Sequence, residues 1–209
     1  MKNPLIEVCV DTLSDALSAE SKGVNRIELC SHLSLDGLTP TLELTKKTLA
    51  ALKIPIHVMI RSRASNFQYL PHEVEKMIET IQTYKELGIK GIVFGALLVD
   101  LTIDVHTIEK IAKAAVGLNF VFHKAIDLTP NPVVATQTLV AIKGITHILT
   151  SGGAPTARQG ASVIRNMDAH SEHIKIIAAG KIKDYNLNEH IKLIGVNEYH
   201  GRRIVGHLK

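Results

Sequence analysis

Tryptophan is absent from the 209 residues, and only four phenylalanines and four tyrosines are present. A face of stacked aromatic rings, as single-stranded nucleic acids require, has little material here. Lys and Arg outnumber Asp and Glu, 24 against 20, for a formal net charge of +4, yet they are scattered and form no basic run. That distribution serves solubility and predicts no nucleic-acid partner. Cysteine is equally scarce: Cys9 and Cys30 are too few for a disulfide framework and lack the CxxC spacing of zinc or thioredoxin motifs. Long apolar runs are missing as well. Leu5 to Val10 is short and broken by Glu7, so it does not read as a secretory segment, and no later stretch reaches membrane-spanning length. The expectation is a cytoplasmic protein with reduced thiols and no membrane partner.

What is present is 45% hydrophobic residues in a chain of one-domain length, so residues 1–209 are expected to form a single domain with a sizeable core. Short apolar segments recur roughly 20 to 30 residues apart, separated by amphipathic stretches, as in repeated βα units. Eight candidate strands emerge: Leu5 to Val10, Arg26 to Cys30, Pro55 to Ile60, Gly91 to Gly95, Asn119 to His123, Thr146 to Thr150, Lys175 to Ala179 and Val196 to His200. Among the intervening segments, Val74, Met77, Ile78, Ile81 and Leu87 follow helical spacing between Pro71 and Gly88. Thr39-Pro40 and Ala154-Pro155 read as further helix starts, and seven helices can be placed. The fold class expected is α/β, a TIM-type (β/α)8 barrel, because no GxGxxG fingerprint follows the first strand and the even spacing suits closure. After His200 too few residues remain for an ordinary eighth helix, and a flank left bare in this way predicts a homo-oligomer.

In a barrel the aliphatic series of each strand meets the helices and the alternate series points inward. Ile6, Val8 and Val10 outside leave Glu7 and Cys9 inside; Ile27 and Leu29 outside leave Glu28 and Cys30; Ile56, Val58 and Ile60 outside leave His57, Met59 and Arg61. The same parity puts His123, His147, Lys175, Glu198 and His200 inside. Isolated buried charges cost several kcal/mol, so Glu7, Glu28, Glu198, Lys175 and the histidines either neutralise one another or line a pocket. Arg61, His123 and His200 stand at strand ends, where barrel enzymes carry functional groups. Thr150-Ser151-Gly152-Gly153 leads toward a helix and reads either as an anion nest of Ser151, Gly152 and Gly153 or as a tight turn needing glycine. The Arg61 to Leu70 loop, with Arg63, Phe67 and Tyr69, is placed to cover the mouth.

The segments IEVC, RIELC, DGLTPT, HVMIRSR, GIVFGAL, VFHKAID, LTSGG and EYHG occur in this order along nearly the whole chain and resemble the successive motifs of the CutC copper-homeostasis proteins. The resemblance implies a TIM-type barrel, a cytoplasmic location and a part in copper handling, with Cys9 and Cys30 corresponding to the family's cysteines. The chain departs from that pattern at Lys124, where the family's FHRA motif has Arg, and at Ser62, where IRPR has Pro. Leu101 replaces a common glycine, Ala179-Gly180-Lys181 a glycine-richer turn, and Arg202 a frequent Ser.

Two functions follow. The first is copper homeostasis with Cu(I) held by Cys9, Cys30 and Met59, since thiolate and thioether select this soft ion. The second is a barrel enzyme of lyase, isomerase or hydrolase type acting on a small anionic or sugar-like ligand. Arg61 would be its anion clamp, His123 or His200 its acid and base, and Asp127 the group orienting His123. A variant of the second places a divalent metal between Glu7, Glu28 and His57.

Overall fold

A computed structural model describes residues 3–208 of the chain. Strands and helices alternate: β1 (Leu5–Val10), α1 (Leu13–Ser21), β2 (Arg26–Leu29), α2 (Leu42–Ala51), β3 (Ile56–Met59), α3 (Pro71–Glu86), β4 (Gly91–Phe94), α4 (Val105–Ala114), β5 (Asn119–Phe122), α5 (Pro132–Val140), β6 (His147–Thr150), α6 (Ala161–Ala169), β7 (Lys175–Ala178), α7 (Leu187–Ile194) and β8 (Glu198–His200). All strand pairs are parallel, and β8 pairs with β1 to close the barrel in sequence order. Each candidate strand lies where the alternation predicts it, with ends shifted by a residue or two. None of the described helices is long and apolar enough to cross a membrane.

Two layers of apolar packing follow from strand parity. Val8, Val10, Ile27, Leu29, Ile56, Val58 and Ile60 belong to the shell between barrel and helices, each contributing roughly 2 kcal/mol by burial. Cys30, Met59, Val93, Val121, Leu149, Ile177 and Ala179 form a second, smaller cluster inside the barrel. In α3, Val74, Met77, Ile81 and Tyr84 are buried at helical spacing, Pro71 stands at the start, and the Glu73 carboxylate accepts from the Leu70 N–H.

Two helix starts differ from the expectation. α2 begins at Leu42 because the Thr41 hydroxyl, not Thr39-Pro40, caps it by accepting from Leu44 N–H. α6 begins at Ala161; residues 154 to 160 are turns held back on the glycine loop and on the turn after β7, with Ala157 N–H donating to Gly180 C=O. Among the described residues no helix follows β8. Instead Ile204 is buried and Lys22, at the end of α1, donates to the carbonyls of Val205 and His207. A groove lined by residues of β1, α1's C-terminal turn and α7 opens on this flank.

Candidate functional site

The lower interior is an ion network. Arg26, on the inward series of β2, donates through Nε to Glu7 and through Nη2 to Glu198 at 2.7 Å. Arg26 shares the inward parity of Glu28 and Cys30 and is the network's main cation. Lys175 does not fill that role: its side chain is 67% exposed at the base of β7, with Nζ 3.8 Å from Glu198 Oε1. A strand's first residue, though of inward parity, clears the barrel floor. His147 Nε2 lies 3.4 Å from Glu198 Oε1, and His57 Nδ1 lies 3.7 Å from Glu7 Oε2. Burial pushes the Glu7 carboxyl up, but the Arg26 charge and the His200 contact outweigh it and hold it well below the usual range. For Glu198 burial is likewise outweighed by His147 and Arg26, which hold it at about 2. Burial keeps His57 neutral, with its pKa lowered to about 3.

Above this network a pocket of 660 Å³ opens at the C-terminal ends of the strands. Its floor includes Cys9, Glu28, Cys30, Met59 and His200, and its walls include Arg61, Phe67, His123, Lys124 and Arg202. His200 Nδ1 is 2.8 Å from Glu7 Oε1 and 3.3 Å from Glu28 Oε2. Burial opposes its charge, but Cys9, Glu28 and Glu7 raise its pKa well above the ordinary histidine value. Glu28 shifts the other way from Glu7: burial raises it to about 7, with His200 opposing and the Glu7 charge reinforcing.

Arg61 is buried without a carboxylate among its hydrogen-bond partners. Its Nη1 donates to the carbonyls of Leu35 and Gly37, its Nη2 to that of Ser65, and its Nε has no partner. The guanidinium lies 5.0 Å from the Phe67 ring, which packs at 4.7 Å against His123. The Arg61 to Leu70 loop is thereby pinned over the wall, and Arg63 ties it to α3 through Glu73. His123 Nδ1 accepts from Ala125 N–H, so the ring proton sits on Nε2, which is buried and unpartnered. Burial, with Arg61 adding, lowers the His123 pKa to about 3. His123 is therefore a neutral hydrogen-bond donor.

Asp127 does not orient His123. Its carboxylate accepts from Thr150 Oγ1, Ser151 N–H and Oγ, Gly153 N–H and Lys124 Nζ. Gly152 N–H donates to Thr150 Oγ1 at 2.8 Å. The glycine loop is a nest, as its sequence suggests, but the three N–H groups of Ser151, Gly152 and Gly153 are already engaged within the protein. Lys124, which replaces the expected Arg, needs no bidentate fork here because it meets Asp127 and Ser151 with a point charge.

The soft donors Cys9, Cys30 and Met59 all line this pocket. The strand register sets Glu28, not Cys30, opposite Cys9, while Cys30 packs with Met59 in the apolar cluster. Burial, then Glu28, pushes the Cys30 thiol well above its usual pKa, which opposes the thiolate that Cu(I) requires. The three donors line one pocket but do not fit a preformed thiolate site. The expected divalent cluster is also rearranged: Glu7 and Glu28 converge with His200 rather than His57. Arg26 and the charged His200 already occupy the Glu7 oxygens.

A family model described as the CutC family matches residues 4–205. A CutC family protein of Treponema denticola is 40% identical over 201 residues, covering 96% of this chain and 81% of the relative. One from Glaesserella parasuis is 38% identical, covering 93% and 80%. A crystal structure from Streptococcus agalactiae, of a CutC protein named for copper homeostasis, superposes with a TM-score of 0.90 at 31% identity, covering 96% of this chain and 99% of that one. A dihydrodipicolinate synthase from Bacillus anthracis, with a TM-score of 0.68 at 10% identity over 96% of this chain and 70% of its own, shares the barrel alone. By sequence across nearly its whole length and by fold, this chain belongs to the CutC family.

Proposed function

We propose that the chain is a barrel enzyme whose mouth binds a small organic anion between Arg61 and His123. One observation carries this reading: Arg61, with no carboxylate partner among the described residues and an unpartnered Nε, and His123, with a buried, unpartnered imidazole N–H, line one pocket. Unmet buried donors cost about 1–3 kcal/mol each, a cost that a bound carboxylate removes. Phe67 packs against both, excludes water from one side and stiffens them. The family name ties relatives to copper, and Cys9, Cys30 and Met59 on the same floor keep Cu(I) as the second reading.

Titration calorimetry with small 2-oxo and 2-hydroxy carboxylates separates the two. Saturable binding is expected in the native chain, weakened about 10-fold or more in Arg61→Ala and preserved in Cys9→Ser/Cys30→Ser. Anaerobic Cu(I) competition against a chromogenic chelator provides the counter-test. Tight Cu(I) binding that disappears in the double serine variant, with no carboxylate binding, would replace the enzyme reading by the copper one.

A further inference from the structure

Of the three carboxyl groups inside the barrel, Glu28 is the one that Arg26 leaves aside. Arg26 bonds Glu7 and Glu198, whereas the contacts of Glu28 are His200 Nδ1 at 3.3 Å and the Cys30 thiol at 3.8 Å. His200 Nδ1 is closer to Glu7 Oε1, at 2.8 Å, and that bond sets the orientation of the ring. With Nδ1 engaged there, Nε2 is the nitrogen left for the pocket that Glu28, His200 and Cys9, which also hydrogen-bonds the ring, all line. The floor thus holds a weakly partnered carboxyl group beside an imidazolium backed by a second carboxylate. Such a pair can take a proton from carbon and give one to oxygen.

We propose that this floor interconverts an α-hydroxy ketone and the isomeric α-hydroxy aldehyde of a small carboxylate, with Glu28 serving the carbons and His200 the oxygens. The inference rests on the reading of the mouth as an anion site anchored by Arg61. Because Asp127 already fills the glycine loop, a phosphate finds no nest there; the free donors of Arg61 and His123 suit a single carboxylate.

The step balances without a metal, redox partner or co-reactant. Glu28 carboxylate removes the proton from the hydroxyl-bearing carbon, and that C–H electron pair becomes the carbon–carbon π bond. The carbonyl π pair moves onto its oxygen, which takes the Nε2 proton of His200 to give an enediol. The neighbouring hydroxyl then returns its proton to Nε2, its oxygen forms the new carbonyl, and Glu28 delivers its proton to the former carbonyl carbon. Glu28 is faced by Glu7 and Cys9 from β1, Arg26 and Cys30 on its own β2, His57 from β3 and His200 from β8.

The test uses the full chain in D2O with hydroxypyruvate, the smallest α-hydroxy ketone carrying a carboxylate, followed by proton NMR, with binding of the same compound measured by calorimetry. The expected result is loss of the C3 proton signal and formation of the isomeric aldehyde above the buffer control. Glu28→Gln should slow this about 100-fold or more. Glu28→Asp, which keeps a carboxylate, should retain measurable exchange and guards against a variant that merely misfolds. Arg61-dependent binding without exchange overturns the isomerisation and leaves the anion site standing, as does exchange that survives in folded Glu28→Gln. Absence of binding in the native chain, or binding unchanged in Arg61→Ala, overturns the anion site and this inference with it.

Discussion

Leu101 shows what a single side chain can cost. It adopts φ +64°, a left-handed conformation that costs an L-residue about 1–2 kcal/mol. Its side chain is 41% exposed, so little burial offsets the strain. Leu101→Gly should raise stability by about 0.5–1 kcal/mol after the extra chain entropy of glycine is deducted, and thermal unfolding should register one to three degrees. A lower melting temperature would mean that the leucine contacts outweigh the strain. The sequence made this position visible only through the departure from the family pattern. Other residue-scale facts left no such trace. That Asp127 fills the glycine loop depends on β5 and β6 bringing positions 127 and 151 to 153 together, and that His123 is neutral depends on its burial beside Arg61.

At the scale of strands, alternation is a local property and was legible: hydrophobic series outside, Glu7, Cys9, Glu28, Cys30 and His57 inside. Register is a property of two strands, and one strand's pattern does not contain it. Parity alone places Cys9 and Cys30 both inside, and only the register shows that Cys9 faces Glu28. β4 records a different constraint. Gly91, and Gly95 just past the strand's end, face the rings of His57 and His123, where an added Cβ would lie 2.5 Å from His57 Cδ2 and 2.6 Å from His123 Cε1. At Gly91 the Asn119 carbonyl also lies 2.9 Å away, and backbone cannot step aside as a ring can. Each alanine substitution should cost roughly 1–3 kcal/mol by overpacking, Gly91→Ala the more. Gly95→Ala should in addition push His123 off the Ala125 N–H and weaken carboxylate binding, which Gly91→Ala should disturb less. Denaturation midpoints read with calorimetry would distinguish them, and equal binding losses would detach Gly95 from the mouth.

For the molecule as a whole, the buried titrating groups predict a stability curve with its maximum near pH 6.5. Glu7, Glu198 and Asp127 have folded pKa values below the ordinary carboxylate values, so their stabilisation is present above about pH 4.5 and is lost as pH falls below it. His57 and His123 fall from 6.5 to about 3 on folding. Between those values the unfolded chain binds two more protons, and stability rises with pH. Glu28 acts in the opposite direction, since its folded form keeps a proton between 4.5 and about 7 that the unfolded form has lost. From pH 4.5 to 6.5 the two histidines outweigh the one carboxyl, a net slope of about 1.4 kcal/mol per pH unit for one proton. Above 6.5 the histidines no longer contribute, while Glu28 up to about 7 and His200, raised well above its ordinary value, hold protons that the unfolded chain releases. Stability therefore declines on the alkaline side. Urea unfolding from pH 4 to 9 should give this dome, and Glu28→Gln should steepen its acid limb and leave only the His200 decline above 6.5. A maximum well above pH 8 would show that His200 is not held charged by Glu7 and Glu28, and would remove the proton that the isomerisation draws from it.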